Sequence, residues 1–556
     1  MRTLGQRFRT NYERNPEKIC LRLLERDSRQ DLTWRDVLRG ASGYALALQE
    51  AGIEPGEPVV VILEHSADLI FAFLGGILHG SIPSIMPFLT EKLSPERYRQ
   101  SLAALVEITQ PACIITYPQF GAEVEQALGD RSSVRSVLFN DAIESVSDVD
   151  FTALTGLGVS EEAIVLLQHS SGTTGLQKGV ALSHRAILTQ VEAYSGSVAM
   201  TQEDVVISWL PLYHDMGLIA GFLMPLLFDS QLVLMSPFDW VRAPYMLIQA
   251  VSQFKGTLSW LPNFAYNFCA QKIRDKDLDG VDLSSWRAVI NCSEPMRYES
   301  HQVFRDRFES IGLPQGSLAT CYAMAENVFA VSQGGIDSPV TVDEIDRRRF
   351  QEDRVAQAPQ GGAVLKMLSA GRPIPGTQVR ILDDDRTDLP ERRIGEIALR
   401  SNCMLTGYYH RDELTQEAFH DGWYLTGDLG YIADGELYVS GRIKELIIVG
   451  GKNVYPQDLE ELSYEVEGVY PGRAVAFGVF NDKLGTEDVA IVAEVETEDP
   501  DERRSIIDGI RAAIAQGSDV AVRYIELVPR GWMIKTSSGK PARNANRDKY
   551  LEQRAN

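Results

Sequence analysis

"HSSGTTGLQKG", residues 169–179, sets three glycines, four hydroxyl side chains and a lysine one residue after the apolar run Ile164–Leu167. A strand that opens into a glycine- and hydroxyl-rich turn lets backbone N–H groups converge on phosphate oxygens, because few side chains stand in the way. The chemistry to expect is nucleotide binding, with a plain turn between two strands as the alternative. The nucleoside-triphosphatase loop G-x-x-x-x-G-K-[ST] does not fit. Gln177 occupies the position of its second glycine, and Lys178 is followed by Gly179 instead of a hydroxyl residue for Mg²⁺.

Five further strings follow in order: "SWLPLYHDMG" (208–217), "TCYAMAE" (320–326), "YLTGD" (424–428), "GRIKE" (441–445) and "KTSSGK", ending in Lys540. With "SSGTTGLQKG", and in this order and rough spacing, they resemble the core motifs of the adenylate-forming superfamily. That superfamily includes acyl-CoA synthetases, peptide-synthetase adenylation domains and luciferases. The similarity spans about residues 10 to 550. "SWLPLYHDMGLI", "NCSEPM" (291–296) and "NVYPQDLE" (453–460) are similar to the fatty-acyl-AMP ligase branch, as is the long segment between Glu326 and "SAGRPIPG". Two residues depart from the pattern: Gln177 stands where proline is usual, and Cys292 where this branch usually has glycine.

The resemblance implies a reaction. A free carboxylate is a poor acyl donor, and joining it to AMP from ATP makes a mixed anhydride with a good leaving group. Negative charge then accumulates among groups that already repel, so positioned cations and donors are required. By resemblance Ser170, Ser171, Thr173 and Thr174, with the N–H groups around Gly172 and Gly175, grip the β- and γ-phosphates, and Lys178 adds charge. Lys540 touches the carboxylate and the α-phosphate. Glu326 holds Mg²⁺, for which an oxygen ligand suits a hard cation. Asp428 accepts from both ribose hydroxyls, with Arg442 reinforcing ribose or phosphate. Tyr322 stacks on adenine beside Ala323 and Met324, while Asn291, Ser293 and Glu294 lie near the purine and the acyl carbonyl. His214 stands at the mouth of the acyl pocket. Lys444 marks the hinge about which the C-terminal part swings to admit a phosphopantetheine thiol.

Each residue also has a plainer reading: solvated lysines for Lys178 and Lys540, a capping acid for Glu326, a turn salt bridge for Asp428 and Arg442, core packing for Tyr322 and His214. The apolar runs 218–228 and 260–268 could wall an acyl tunnel or simply be core. The implied cofactors are ATP and Mg²⁺. The implied partners are a fatty or other carboxylic acid and an acyl carrier protein, with CoA as the alternative acceptor. A reading of another class is a catalytically silent acyl- or nucleotide-binding protein.

The elements that must position these residues follow from composition and patterning. At 556 residues with 44% hydrophobic side chains, the chain has material for more than one core. A net charge of −23 argues against a nucleic-acid-coating surface. Six scattered cysteines without a C-x-x-C pair read as free buried thiols in a reducing, cytoplasmic setting. Residues 69–88 form the most membrane-like stretch, yet His79 and Pro83 interrupt it, so it reads as a buried helix followed by a strand and not as a membrane span.

Short β-like runs (59–63, 112–116, 136–139) alternate with helix-like runs such as 34–51, so the fold class is α/β, with parallel sheets covered by helices up to about residue 330. Residues 335–362 read as a mostly exposed, charge-rich insertion with one short helix. Glycine-bounded strands over 370–440 suggest a β-structured subdomain, and the remainder a small mobile α+β domain. The expected division is 1–440 for acid and ATP binding, 441–444 as hinge, and 445–556 carrying the catalytic lysine. A monomer or weak homodimer is expected.

Overall fold

The computed structural model describes residues 2–26, 28–88, 95–129, 133–170, 178–336, 338–449, 452–481, 486–518, 520–536 and 539–555, without the side chains of Arg97, Ser170, Lys452, Asn453 and Ala555. Ser171, Gly172, Thr173, Thr174, Gly175 and Gln177 of the opening string, and the two serines of "KTSSGK", lie outside the described residues.

Nine strands make the central sheet, in the order 372–373, 330–334, 318–323, 288–291, 258–261, 205–208, 231–235, 19–24 and 29–33. Its interior strands pair in parallel, from Leu318–Ala323 across to Ile19–Leu24, and antiparallel strands close both edges. Burial on both faces explains their apolar runs, such as "AVIN" and "LSWL", every residue of which is buried. A second parallel sheet holds Ile82–Ile85, Pro58–Val61, Cys113–Thr116 and Ser136–Phe139. Helix Trp34–Glu50 starts at a capping box formed by Thr33 and Asp36. Helix Ala67–His79 is nearly all buried and leads into strand Ile82–Ile85, as the sequence predicts for this apolar stretch. Among the described residues no helix is long and apolar enough to cross a membrane, and all six cysteines are buried and free.

Strands Thr377–Leu382, Gly395–Ser401, Trp423–Ala433 and Glu436–Arg442 belong to an antiparallel sheet. Beyond it, Val469–Asn481, Thr486–Val495 and Val522–Pro529 form a three-stranded sheet with its own apolar cluster drawn from residues 447–527. The expected insertion is largely unburied, as read, and adds strand pairing to its helix. Its short helix, Arg347–Asp353, is present, but strands Val342–Asp346 and Val364–Leu368 pair around it. Ile345, Phe350 and Ala356 are buried against Tyr431, Tyr438 and Tyr455. The apolar residues are too sparse among charges to signal burial from sequence, yet they share one cluster with tyrosines from distant strands and a loop, Phe350 lying 5.5 Å from the Tyr455 ring.

Candidate active site

Parallel sheets place ligands beyond the carboxyl ends of their strands, and the motif residues leave the central sheet at those ends. Strand Val205–Ser208 runs into Trp209 and on to His214; Ala288–Asn291 runs into Ser293; Leu318–Ala323 runs into Glu326.

After Ala323 the chain turns through the short helix Ala325–Asn327 and Val328, whose φ of +62° is rare for a β-branched residue, then returns as Ala330–Gly334. The tight turn holds Glu326 at the strand end. Tyr408 donates to Glu326 Oε1 at 2.9 Å and is itself 2.9 Å from the Tyr424 hydroxyl. With the Tyr408 proton on Glu326, Tyr424 is the donor of the second bond. Oε2 of Glu326 has no hydrogen-bond partner among the described residues. The Lys178 ammonium lies 4.4 Å from the centre of the Tyr408 ring, so this half-buried cation is held on an aromatic face and not loose in solvent. Ser170 sits opposite Lys178 where strands Ile164–Ser170 and Lys178–Ser183 pair, flanking the glycine-rich stretch.

Asp428 and Arg442 face each other across an antiparallel pair that starts from the two-residue turn Asp434-Gly435, both at positive φ, and shifts register between Leu429 and Gly430, the irregularity that brings Asp428 opposite Arg442. Arg442 Nε donates to Asp428 Oδ1 at 3.0 Å, and the Tyr322 hydroxyl donates to Oδ2 at 2.7 Å. Burial and the neighbouring Asp428 push the Tyr322 phenol far above its ordinary value, so it remains a donor. Tyr322 thus reaches the expected nucleotide cradle with its hydroxyl on Asp428. Ala323 ends its strand, and Met324 N donates to the Phe329 carbonyl at 2.8 Å.

Asn291 is fully buried: its amide donates to Asn263 Oδ1 at 3.0 Å and lies 3.1 Å from His301 Nε2, while its Oδ1 has no partner among the described residues. Burial, with Arg305 adding to it, lowers the His301 imidazole to about 3, so its ring stays neutral and can accept that proton. Glu294 turns its carboxylate to the N-terminus of helix Asn263–Lys272, accepting from Phe264 N at 2.9 Å.

Ser293 adopts φ +68°. That left-handed backbone turns its carbonyl to Lys540, whose ammonium donates to it. Lys540 is fixed on its own side by the Thr536 N to Lys540 O bond at 2.7 Å and by Gly539 at φ +85°. Arg297, just past "NCSEPM", ion-pairs with Asp458 at 2.7 Å and Glu461 at 3.1 Å, tying the same loop to helix Pro456–Tyr464. Lys444 is exposed in the short turn Ile443–Glu445 that follows Arg442.

His214 packs its ring 5.3 Å from that of Tyr213 and precedes a π-helix, Met216–Leu223, which continues as helix Met224–Phe228. The apolar run 218–228 is buried throughout its first ten residues. Gly217 admits this packing, since a Cβ there would lie 2.2 Å from the Pro211 carbonyl oxygen. Asp215 caps the π-helix, accepting from Met216 N at 2.8 Å. Burial raises its carboxyl, and Glu326 adds to the rise, while the Met216 N–H and Lys540 draw it down. Asp215 therefore sits in the field of both Lys540 and Glu326. The sequence assigned no role to Asp215, Tyr408 or Tyr424, though Asp215 and Tyr424 fall inside quoted motifs.

Together the strand ends, the adjoining antiparallel sheet and the C-terminal loop bring together Lys540, the half-buried Glu326, the buried Asp428 with a neutral phenol on it, and Arg442, a set able to bind a nucleotide and neutralise charge at its phosphates. Among the described residues no three histidine, cysteine or acidic side chains cluster as a metal cage.

The chain matches the AMP-binding enzyme family over residues 8–409. It is 30% identical to the medium-chain-fatty-acid–[acyl-carrier-protein] ligase JamA of Moorena producens, over 94% of this chain and 90% of the relative. It is 29% identical to the long-chain-fatty-acid–AMP ligase FadD32 of Mycolicibacterium smegmatis, over 96% and 92%. A solved structure from a study of fatty acyl-adenylate ligases of E. coli and L. pneumophila superposes with a TM-score of 0.91 at 28% identity, covering 100% of this chain and 98% of that one. The motifs, the strand-end geometry and these likenesses agree: the chain is an adenylate-forming ligase and belongs to the AMP-binding enzyme family.

Proposed function

We propose that this ligase activates a fatty or related carboxylic acid with ATP and passes the acyl group to the phosphopantetheine thiol of an acyl carrier protein. In the first step a carboxylate oxygen attacks the α-phosphorus, the bond to the β-phosphate oxygen breaks, and pyrophosphate leaves. In the second the thiol, losing its proton, attacks the acyl carbonyl and AMP departs. The observation that carries the reading is Lys540 held at the Ser293 carbonyl, with Asp215 and Glu326 close enough to act on the same field. A cation delivered there would neutralise the carboxylate and α-phosphate as they approach. The likeness to JamA supports the carrier acceptor.

Asp428, Arg442 and Tyr322 would hold ribose and adenine, and Ser170, Ser171, Thr173, Thr174 and Lys178 the outer phosphates. Mg²⁺ fits the chemistry at Glu326: one carboxylate oxygen is unengaged, and this cation takes one or two carboxylates plus phosphate oxygens and water. There it would neutralise phosphate charge. In this reading residues 1–440 bind acid and ATP, residues 441–444 with Lys444 form the hinge, and residues 445–556 bring Lys540 in and out. The protein would work in the cytoplasm, which agrees with six free thiols.

The test is acid-dependent pyrophosphate–ATP exchange over a panel of acids, followed by addition of holo-carrier protein or CoA. Exchange with a fatty acid and acyl-carrier product is expected. Abundant acyl-CoA would favour a CoA synthetase, and no exchange with any acid would favour a silent binding protein.

A further inference from the structure

Residues 522–554 carry eight lysines and arginines against three acidic residues, in a chain whose net charge is −23. Lys540 is at Ser293, Lys535 donates to the Gly472 carbonyl, and Arg543 lies between Glu460 and Glu445. The other five, Arg523, Arg530, Arg547, Lys549 and Arg554, lie along strand Val522–Pro529, the loop after it and the terminal helix Arg543–Ala555, where Lys549 donates to the Trp532 carbonyl at 2.6 Å and Arg554 to the Tyr550 hydroxyl.

Four of these five are propped on aromatic rings. Arg530 Cζ is 5.3 Å from the Tyr470 ring centre and Lys549 Nζ is 4.1 Å from that of Trp532. Tyr524 carries Arg554 at 4.6 Å and Arg523 at 5.6 Å. Trp532 Nε1 donates to Gln553 Oε1 at 3.1 Å, joining loop and helix into one face. Acids lie nearby: Asp488 pairs with Arg523 at 3.1 Å and Asp548 with Arg547 at 3.3 Å, and Glu526 and Glu552 belong to the same segment. Exposed Arg530 and Arg554 have no ion pair among the described residues.

We infer that this face docks an acidic surface of the carrier protein, an inference that rests on the carrier-acceptor reading above. A guanidinium lying on a ring is already ordered, so it loses little freedom on meeting a carboxylate. The sign of the face, opposite to that of the whole chain, would orient an acidic partner toward it and away from the rest. The terminal helix begins three residues after Lys540, so the partner would sit on the part that moves that lysine. A lipid surface fits poorly, because Leu551 is the one large apolar side chain exposed on this face among the described residues. A long nucleic acid would meet the repulsion of the whole chain.

The test compares wild type with Arg530→Glu/Arg554→Glu, using holo-acyl carrier protein of the fatty-acid-synthesis type, phosphatidylglycerol vesicles and a short DNA duplex. The double variant is expected to raise the carrier KM roughly tenfold and flatten its salt dependence. Pyrophosphate exchange and acyl transfer to free pantetheine should stay at wild-type level, which also reports that the variant is folded. Should exchange fall, the milder Arg530→Gln/Arg554→Gln pair replaces it, with a smaller rise in carrier KM expected. An unchanged carrier KM with exchange intact would overturn the docking face and leave the ligase reading standing. Tighter binding of wild type to vesicles or DNA than to carrier, or transfer to pantetheine but never to carrier, would also overturn it. Absence of exchange in wild type would sink the ligase reading itself.

Discussion

The hydroxyl of Tyr322 donates to Oδ2 of Asp428 across 2.7 Å, linking the end of a central parallel strand to the antiparallel sheet beside it. Arg442 holds the other oxygen at 3.0 Å, so the carboxylate is oriented before any ribose arrives.

Tyr322→Phe keeps the ring and deletes the donor. A hydrogen bond to a charged group is worth about 1.5–3 kcal/mol, so the KM for ATP should rise roughly tenfold or more, with kcat changed far less. Exchange kinetics at varied ATP measure this; a collapse of kcat at unchanged KM would contradict it.

Glu326→Gln keeps the shape and removes the charge that would attract Mg²⁺. Adenylation should fall on the order of a hundredfold and recover in part at high Mg²⁺. A Mg²⁺ titration of exchange checks this, since a purely structural glutamate would leave the metal requirement where it was.

Arg543 and Glu460 form a buried pair, with bonds at 2.9 and 3.0 Å and side chains 12% and 7% exposed. Arg543→Met strands the carboxylate, which also accepts from Ala476 N. The loss should be about 3 kcal/mol in denaturant unfolding, and Arg543→Met/Glu460→Leu should regain part of it.

Burial lowers His301 to about 3 and His169 and His184 to about 4, from an ordinary 6.5. As pH falls below 6.5 the unfolded chain takes up these protons while the folded chain resists, so stability declines until the folded values are reached. Each histidine contributes about 1.4 kcal/mol per pH unit over that window. His301→Gln should reduce the slope of stability against pH by that amount, read from urea unfolding across the window.

Much of this organisation can be read from the chain. The β-like runs 59–63 and 112–116 contain strands buried on both faces, and the strings around Ser208, Asn291 and Thr320 lie where central strands end in turns. Tyr408 was illegible: "GYY" has no spacing signal, and its meeting with Glu326 depends on strand Gly407–Tyr408 pairing with Lys178–Ser183. The left-handed Ser293 was equally hidden, since serine does not announce positive φ. Charge-rich composition masked the buried side of the insertion, where Phe350 packs 5.5 Å from Tyr455.

The contact between Lys540 and the Ser293 carbonyl bears most directly on the whole account. The measurement that tests it separates the two half-reactions in Lys540→Ala: acid-dependent pyrophosphate exchange, and acyl transfer to a thiol from supplied acyl-AMP. Exchange should fall by on the order of a hundredfold or more while transfer stays within about threefold of wild type. Equal loss in both steps, or exchange that survives, would contradict the role assigned to this lysine.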